Sequence, residues 1–191
     1  MALSKIDMSK MVTGTLPVAS GGTGLASGTT GQFLKFTGST TVASSAVDAG
    51  KIAQIIQTIF STDTDFAATS FQNISGGGNS LSAFITPTAT NSKVYINYTI
   101  QAQHASNRGY KTRILRGVSG TDTEIFAQPN QKDTYGDGNT NASRSSVQYL
   151  DSPNTTSQCE YMIQIGTDGA QTVTVAESGS QCMITLMEVL A

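Results

Sequence analysis

From residue 51 onward, short apolar runs separated by turn signals follow one another, and their dominant period is two. Val94, Ile96, Tyr98 and Ile100 alternate with Tyr95, Asn97, Thr99 and Gln101, the pattern of a strand with one buried face. In the last strand Met183, Thr185 and Met187 alternate with Cys182, Ile184, Leu186 and Glu188. Strands are expected over 66–74, 80–86, 92–103, 110–117, 122–128, 144–150, 158–166, 170–176 and 181–189, and nothing reads as a long helix. Residues 51–62 fit two templates. Ile52, Ile55, Ile56, Ile59 and Phe60 have helical spacing, whereas four isoleucines among threonines favour a strand. The Asp168-Gly169 pair predicts a hairpin between its flanking strands. Many short strands with frequent turns predict an all-β chain folded as a jelly-roll-like β-sandwich.

The first fifty residues differ. Leu3, Ile6, Met8 and Met11 form a small apolar set too short to fold alone, so residues 1–12 read as a peptide that docks on another protein. Residues 13–47 are rich in Gly and Thr, with Phe33, Leu34 and Phe36 as their bulky group. Pro17 biases Leu16 to extended geometry, and Gly21, Gly22 and Gly24 permit close chain approach. This stretch reads as an extended stalk, and residues 48–191 as the globular head.

Gly14-Thr15-Leu16-Pro17-Val18-Ala19, Gly21-Gly22-Thr23-Gly24, and then Gly31, Gln32, Leu34 and Gly38 resemble the stalk repeats of tailed-bacteriophage fibre proteins. Segments around Gly50–Thr58, Thr69–Phe71, Ile85–Thr90 and Ile184–Val189 are similar to the globular heads of such fibres. The resemblance turns 51–62 towards a strand. It implies a homotrimer attached to the virion through its N-terminus, assembled in a host bacterial cytoplasm, with a head that meets the host surface. Head-fibre and decoration proteins of capsid or tail use similar modules, so a purely structural role is the alternative.

Composition narrows the chemistry. Charged residues make up 13% of the 191 residues and the net charge is −2, which gives no field to attract nucleic acid or an anionic membrane. No apolar run is long enough for a transmembrane helix, and residues 1–7 lack the apolar core of a signal peptide. Cys159 and Cys182 read as small buried hydrophobes. No cofactor is expected. His104, the single histidine, has no Gly-x-Ser-x-Gly elbow beside it and cannot build a His-rich metal site. Asp133–Asn139 superficially matches a calcium loop, but Tyr135 occupies the third position and Arg144 the twelfth. Glu124, Glu160 and Glu177 lie on or beside predicted strands and most aspartates in turns, so no carboxylate pair of the kind glycosidases use is evident. No catalytic and no metal site is expected.

Two surfaces remain as binding candidates. The loop 128–144 is rich in Asn, Gly and Asp and offers adaptable hydrogen bonding beside an aromatic ring. Asn130, Tyr135, Asp137, Asn139 and Asn141 are its candidate receptor-binding residues, for a host-surface glycan or outer-membrane component. The cluster Arg108, Lys111, Arg113 and Arg116 is the second, with Lys111 and Arg113 on one strand face. It would meet anionic groups or pair with carboxylates. Expected partners are the chain itself and other virion proteins of tail, baseplate or capsid.

Overall fold

The structure is a computed structural model that describes residues 22, 23, 25, 28–39, 41–45, 51–104, 109–128, 141–169 and 171–190. The chain forms two compact units, Met1–Ala49 and Gly50–Ala191. The anchor residues Leu3, Ile6, Met8 and Met11, and Leu16, Pro17, Gly21 and Gly24 of the stalk motif, lie outside the described residues. So do Asn130, Tyr135, Asp137 and Asn139, while Asn141 is described in its backbone only.

In the first unit, β1 (Phe33–Gly38) and β2 (Thr41–Ser45) form an antiparallel hairpin within the stretch read as an extended stalk. Gly31, at φ +81°, turns the chain into β1, and Gln32 accepts a 2.6 Å hydrogen bond from the Ser44 hydroxyl that closes the hairpin's open end. Phe33, Leu34 and Phe36 are all more than half exposed. A lone hairpin is marginal in water, and one that leaves its bulky side chains wet buries little to hold it.

The second unit is an all-β sandwich. Its strands are β3 (Ile52–Phe60), β4 (Thr64–Phe66), β5 (Gln72–Asn73), β6 (Ser75–Gly76), β7 (Asn79–Ser80), β8 (Ser82–Ile85) and β9 (Lys93–His104). They continue with β10 (Tyr110–Val118), β11 (Thr121–Gln128), β12 (Asn141–Asp151), β13 (Cys159–Thr167), β14 (Val173–Val175) and β15 (Cys182–Val189). The larger sheet is built on β9, which pairs with β12 along one edge and with β15 and β14 along the other; β3 and β4 extend it. The smaller sheet is built on β10 and β13, with β11 outside β10 and β8 and β5 outside β13. Val94, Ile96, Tyr98 and Ile100 of β9 and Ile184 and Leu186 of β15 face Ile114 of β10 and Tyr161, Ile163 and Ile165 of β13 in one fully buried core.

Within residues 51–62, Ile52–Phe60 form a strand, as the resemblance implied. Their helical spacing arises because isoleucines occupy both faces: Ile56 packs on the core while Ile55 and Ile59 stand exposed. A bulge near Ala53 turns Ile52 outward as well, opposite Val189. Two expectations are corrected. Residues 66–74 are not one strand, because the chain leaves β4 in the larger sheet and enters β5 in the smaller one. The Asp168-Gly169 turn does not form a hairpin. Thr167 N–H donates to Ala68 and Asp168 N–H to Gly109, so the turn's donors serve neighbouring segments, and the chain crosses from β13 to β14 in the opposite sheet.

Two polar contacts tie the layers and a third holds a connecting loop. Tyr98 and Thr112 share a 2.7 Å hydroxyl–hydroxyl bond across the core. Asp151, at the end of β12, accepts from Arg116 Nη1 at 2.7 and 2.9 Å and from the Tyr161 hydroxyl at 2.7 Å, both from the facing sheet. Burial and the hydrogen bond to Asp151 push the Tyr161 phenol far above its ordinary value. At the sandwich end, buried Glu188 accepts from the backbone and hydroxyl of Thr88 at 2.6 and 2.7 Å and from Gln54 Nε2 at 2.7 Å, tying the loop before β9 to β15 and β3. Burial alone would raise the Glu188 carboxyl, but the donors from Gln54 and Thr88 outweigh it and hold it at about 2.

Replacing Asp151 with Ala leaves the partly buried Arg116 charge and the Tyr161 hydroxyl without this partner and should lower unfolding free energy by about 3 kcal/mol in urea titrations, the low end for a buried pair. Arg116→Met with Asp151→Leu should lose less than Asp151→Ala alone. Glu188, whose folded value is depressed, contributes stability above the unfolded carboxylate range near 4.5, and that contribution disappears as pH falls towards 2. Thermal melts between pH 5 and 2 should therefore fall more steeply for the parent than for Glu188→Gln.

Candidate functional site

The outer surface of the smaller sheet carries a cleft set by strand register. Gly117 on β10 lies opposite Asp122 on β11 and Glu160 on β13, and Glu160 lies opposite Phe84 on β8. Phe84, Glu160, Gly117 and Asp122 thus form a row across four adjacent strands, all on the outward face of the sheet. Gly117 is the floor. A Cβ there would sit 2.8 Å from Asp122 Oδ1, so any side chain would displace the carboxylate that leans over it. Around this floor opens a cavity of about 310 Å³, rimmed also by Ser119, Gly120, Ser157 and Gln158.

The rim is held by tight local structure. Ser119 and Gly120, at φ +50° and +81°, form the two-residue loop between paired Val118 and Thr121, the turn whose twist matches a β-hairpin. The facing segment is ordered by the Ser157 N–H donating to the Thr155 hydroxyl at 3.0 Å. Phe84 is half exposed and lies opposite Glu160, at the far end of the row from Asp122. Asp122 is exposed and Glu160 half-buried, and neither has an ion pair among the described residues. Both carboxylates face solvent, without the apolar enclosure that separates an acid from a base in a glycosidase. The chemistry available is hydrogen-bond acceptance beside an aromatic surface.

The basic cluster is dispersed. Lys111 Nζ and Arg113 Cζ lie 5.0 and 4.4 Å from the Phe71 ring centre on one outward face, as the strand period requires. Arg113 donates to Glu124 at 2.7 Å and to Gln164 at 2.6 Å. Arg116 points inward to Asp151, because its parity along β10 is that of Thr112 and Ile114. Arg108 lies outside the described residues. Two of the cations therefore pair with carboxylates of the same chain. His104 is buried at the end of β9, its ring 6.2 Å from that of Tyr110 in an edge-on arrangement. Cys159 and Cys182 are free and buried in different sheets, where burial pushes both thiols above their ordinary values. Among the described residues no cluster of metal-ligating side chains occurs, and no helix is long and apolar enough to cross a membrane. Sequence reasoning missed the cleft and passed over Glu188. Phe84, Asp122 and Glu160 follow one another at intervals of 38 positions, and only register brings them together.

The larger sheet presents a different surface. In register across β3, β15, β9 and β12 stand Ile55, Met187, Tyr95 and Leu150. The next outward row is Gln57, Thr185, Asn97 and Gln148, and the third is Ile59, Met183, Thr99 and Ser146. None of these side chains is charged. Ile55, Ile59 and Leu150 are about half exposed.

No protein-family model matches the chain, and no curated protein matches it. Among solved structures, the Eiger TNF of S. frugiperda overlaps 72% of this chain and 93% of its own at 10% identity and a TM-score of 0.38. The VP2 subviral particle of infectious bursal disease virus overlaps 82% of this chain and 42% of its own at 12% identity and a TM-score of 0.39. The T13 particle of the same virus overlaps 82% and 39% at 12% identity and a TM-score of 0.40. Overlaps this shallow assign no function.

Proposed function

We propose that the protein is a structural virion subunit, a homotrimeric fibre or spike component whose sandwich head adheres to the host surface. The observation that carries this reading is the uncharged middle of the larger sheet's outer face, between Lys93 at one end and Arg144 and Asp65 at the other. Three consecutive rows across four strands expose isoleucine, methionine, tyrosine and leucine between Gln, Thr, Asn and Ser, with no charge to desolvate. Exposed apolar patches of this kind mark interaction sites. Strand spacings give this patch about 400 Å² per copy, so a pair of copies covers about 800 Å², short of the roughly 1,000 Å² of a specific interface, and the stalk has to add to it. A charge-free patch suits a second copy of the same chain, because self-packing buries no like charges. The wet hairpin β1–β2 asks for cover in the same way, and the stalk motif of residues 14–38 supports a fibre rather than a free globule.

Function follows mechanically. Residues 1–12 hold the subunit to another virion protein, the stalk projects it, and joined heads present several weak sites at once, which can raise avidity by roughly 10²–10⁴ without new contacts. The cleft on the opposite sheet stays free when the larger sheets face one another, and this favours adhesion over a decoration role.

Sedimentation of the full-length protein should give three times the chain mass. Ile55→Lys with Leu150→Lys places unpaired charge in the face and should weaken assembly at least 100-fold while leaving the far-ultraviolet dichroism unchanged. A parent that is monomeric at every concentration would overturn the proposal.

A further inference from the structure

We propose that the Phe84–Glu160–Gly117–Asp122 cleft is the head's saccharide site and takes one pyranose ring of a neutral or amino sugar. This rests on the adhesive reading above and names its ligand. A sugar ring has an apolar C–H face and an equatorial girdle of hydroxyl donors. Phe84 supplies an aromatic surface for the first, half exposed at one end of the row. The two carboxylates supply acceptors for the second. Ionised Asp and Glu accept and never donate, so each can take two or more hydroxyl protons, and both are unspent among the described hydrogen bonds and ion pairs. Ser119, Ser157 and Gln158 on the rim add groups that both donate and accept.

The size agrees. A cavity of about 310 Å³ lies at the lower end of the range for small-molecule sites, and it exists because position 117 has no side chain. The floor is backbone of a paired strand and the rim a two-residue turn, so little ordering is spent on binding. Charge sets the selectivity. No cation lines the cleft among the described residues, and two carboxylates repel a third, which excludes uronic and sialic acids and tolerates an ammonium group. The nearest arginine on this face, Arg113, is engaged by Glu124 and Gln164.

The test is saturation-transfer NMR on the full-length protein with methyl glucoside, glucosamine and glucuronic acid as probes, each at millimolar concentration with EDTA present. Transfer to the ring protons of methyl glucoside or glucosamine is expected, with none to glucuronic acid. Phe84→Ala, and separately Asp122→Asn with Glu160→Gln, should reduce it at least tenfold; these side chains lie outside the core, and an unchanged melting temperature confirms the fold. Absence of transfer to both neutral and amino sugars, transfer that persists in the variants, or binding that returns only when calcium replaces EDTA would each overturn the proposal. Cell binding by the same proteins separates the two readings. Variants that adhere as the parent does sink the cleft and leave adhesion standing, whereas a parent that binds the sugar but no cell sinks adhesion and leaves the cleft.

Discussion

The register of β9 is the constraint on which everything else depends. Of its twelve residues, Lys93–His104, all but Lys93 pair with β12, and the other edge pairs with β15 and β14. Side chains alternate with a period of two, so one register places Val94, Ile96, Tyr98 and Ile100 in the core and Tyr95, Asn97 and Thr99 on the outer face. A slip of one residue would exchange these sets, exposing the core isoleucines and burying an asparagine without a partner. Core and outer face are therefore two readings of a single pairing.

Polar contacts then specify how the two sheets meet. Apolar packing tolerates small sliding of one sheet over the other, but a carboxylate held by Arg116 and Tyr161, and a hydroxyl pair between Tyr98 and Thr112, fit one alignment only. Such buried polar groups cost desolvation, so their contribution is to choose the alignment more than to deepen it. The alignment has a functional consequence: it fixes β10 against β13, and that pairing sets Gly117 between Asp122 and Glu160.

The fold was largely legible in the sequence because strands announce themselves by period. β9, β10, β11, β13 and β15 lie within a residue or so of their expected bounds, and the inward set of β9 is the one its alternation named. Register and sheet membership were not legible. The Asp168-Gly169 pair signals a turn, yet nothing local says that the chain leaves it for the other sheet. Arg116 looked like a neighbour of Arg113, but odd and even positions of β10 face opposite ways, and its partner Asp151 is 35 residues distant. The cleft was hidden for the same reason, since its floor is a glycine with no chemistry of its own and its walls come from strands far apart in the chain. The expected receptor-binding residues of the 128–144 loop lie outside the described residues or, for Asn141, are described in backbone alone.

In the proposed assembly the uncharged patch of the larger sheet joins copies, and the opposite face keeps its acids and aromatic ring for the outside. Methionine footprinting separates these roles directly. Met183 and Met187 lie on the outer face of the larger sheet and Met162 on that of the smaller one, all three partly exposed in the single chain. Brief peroxide treatment of the full-length protein at micromolar concentration, read by peptide mass spectrometry, should oxidise Met162 readily and leave Met183 and Met187 protected severalfold. Equal oxidation of all three would mean that the larger sheet's face is open to water in the assembled protein, and would contradict the account.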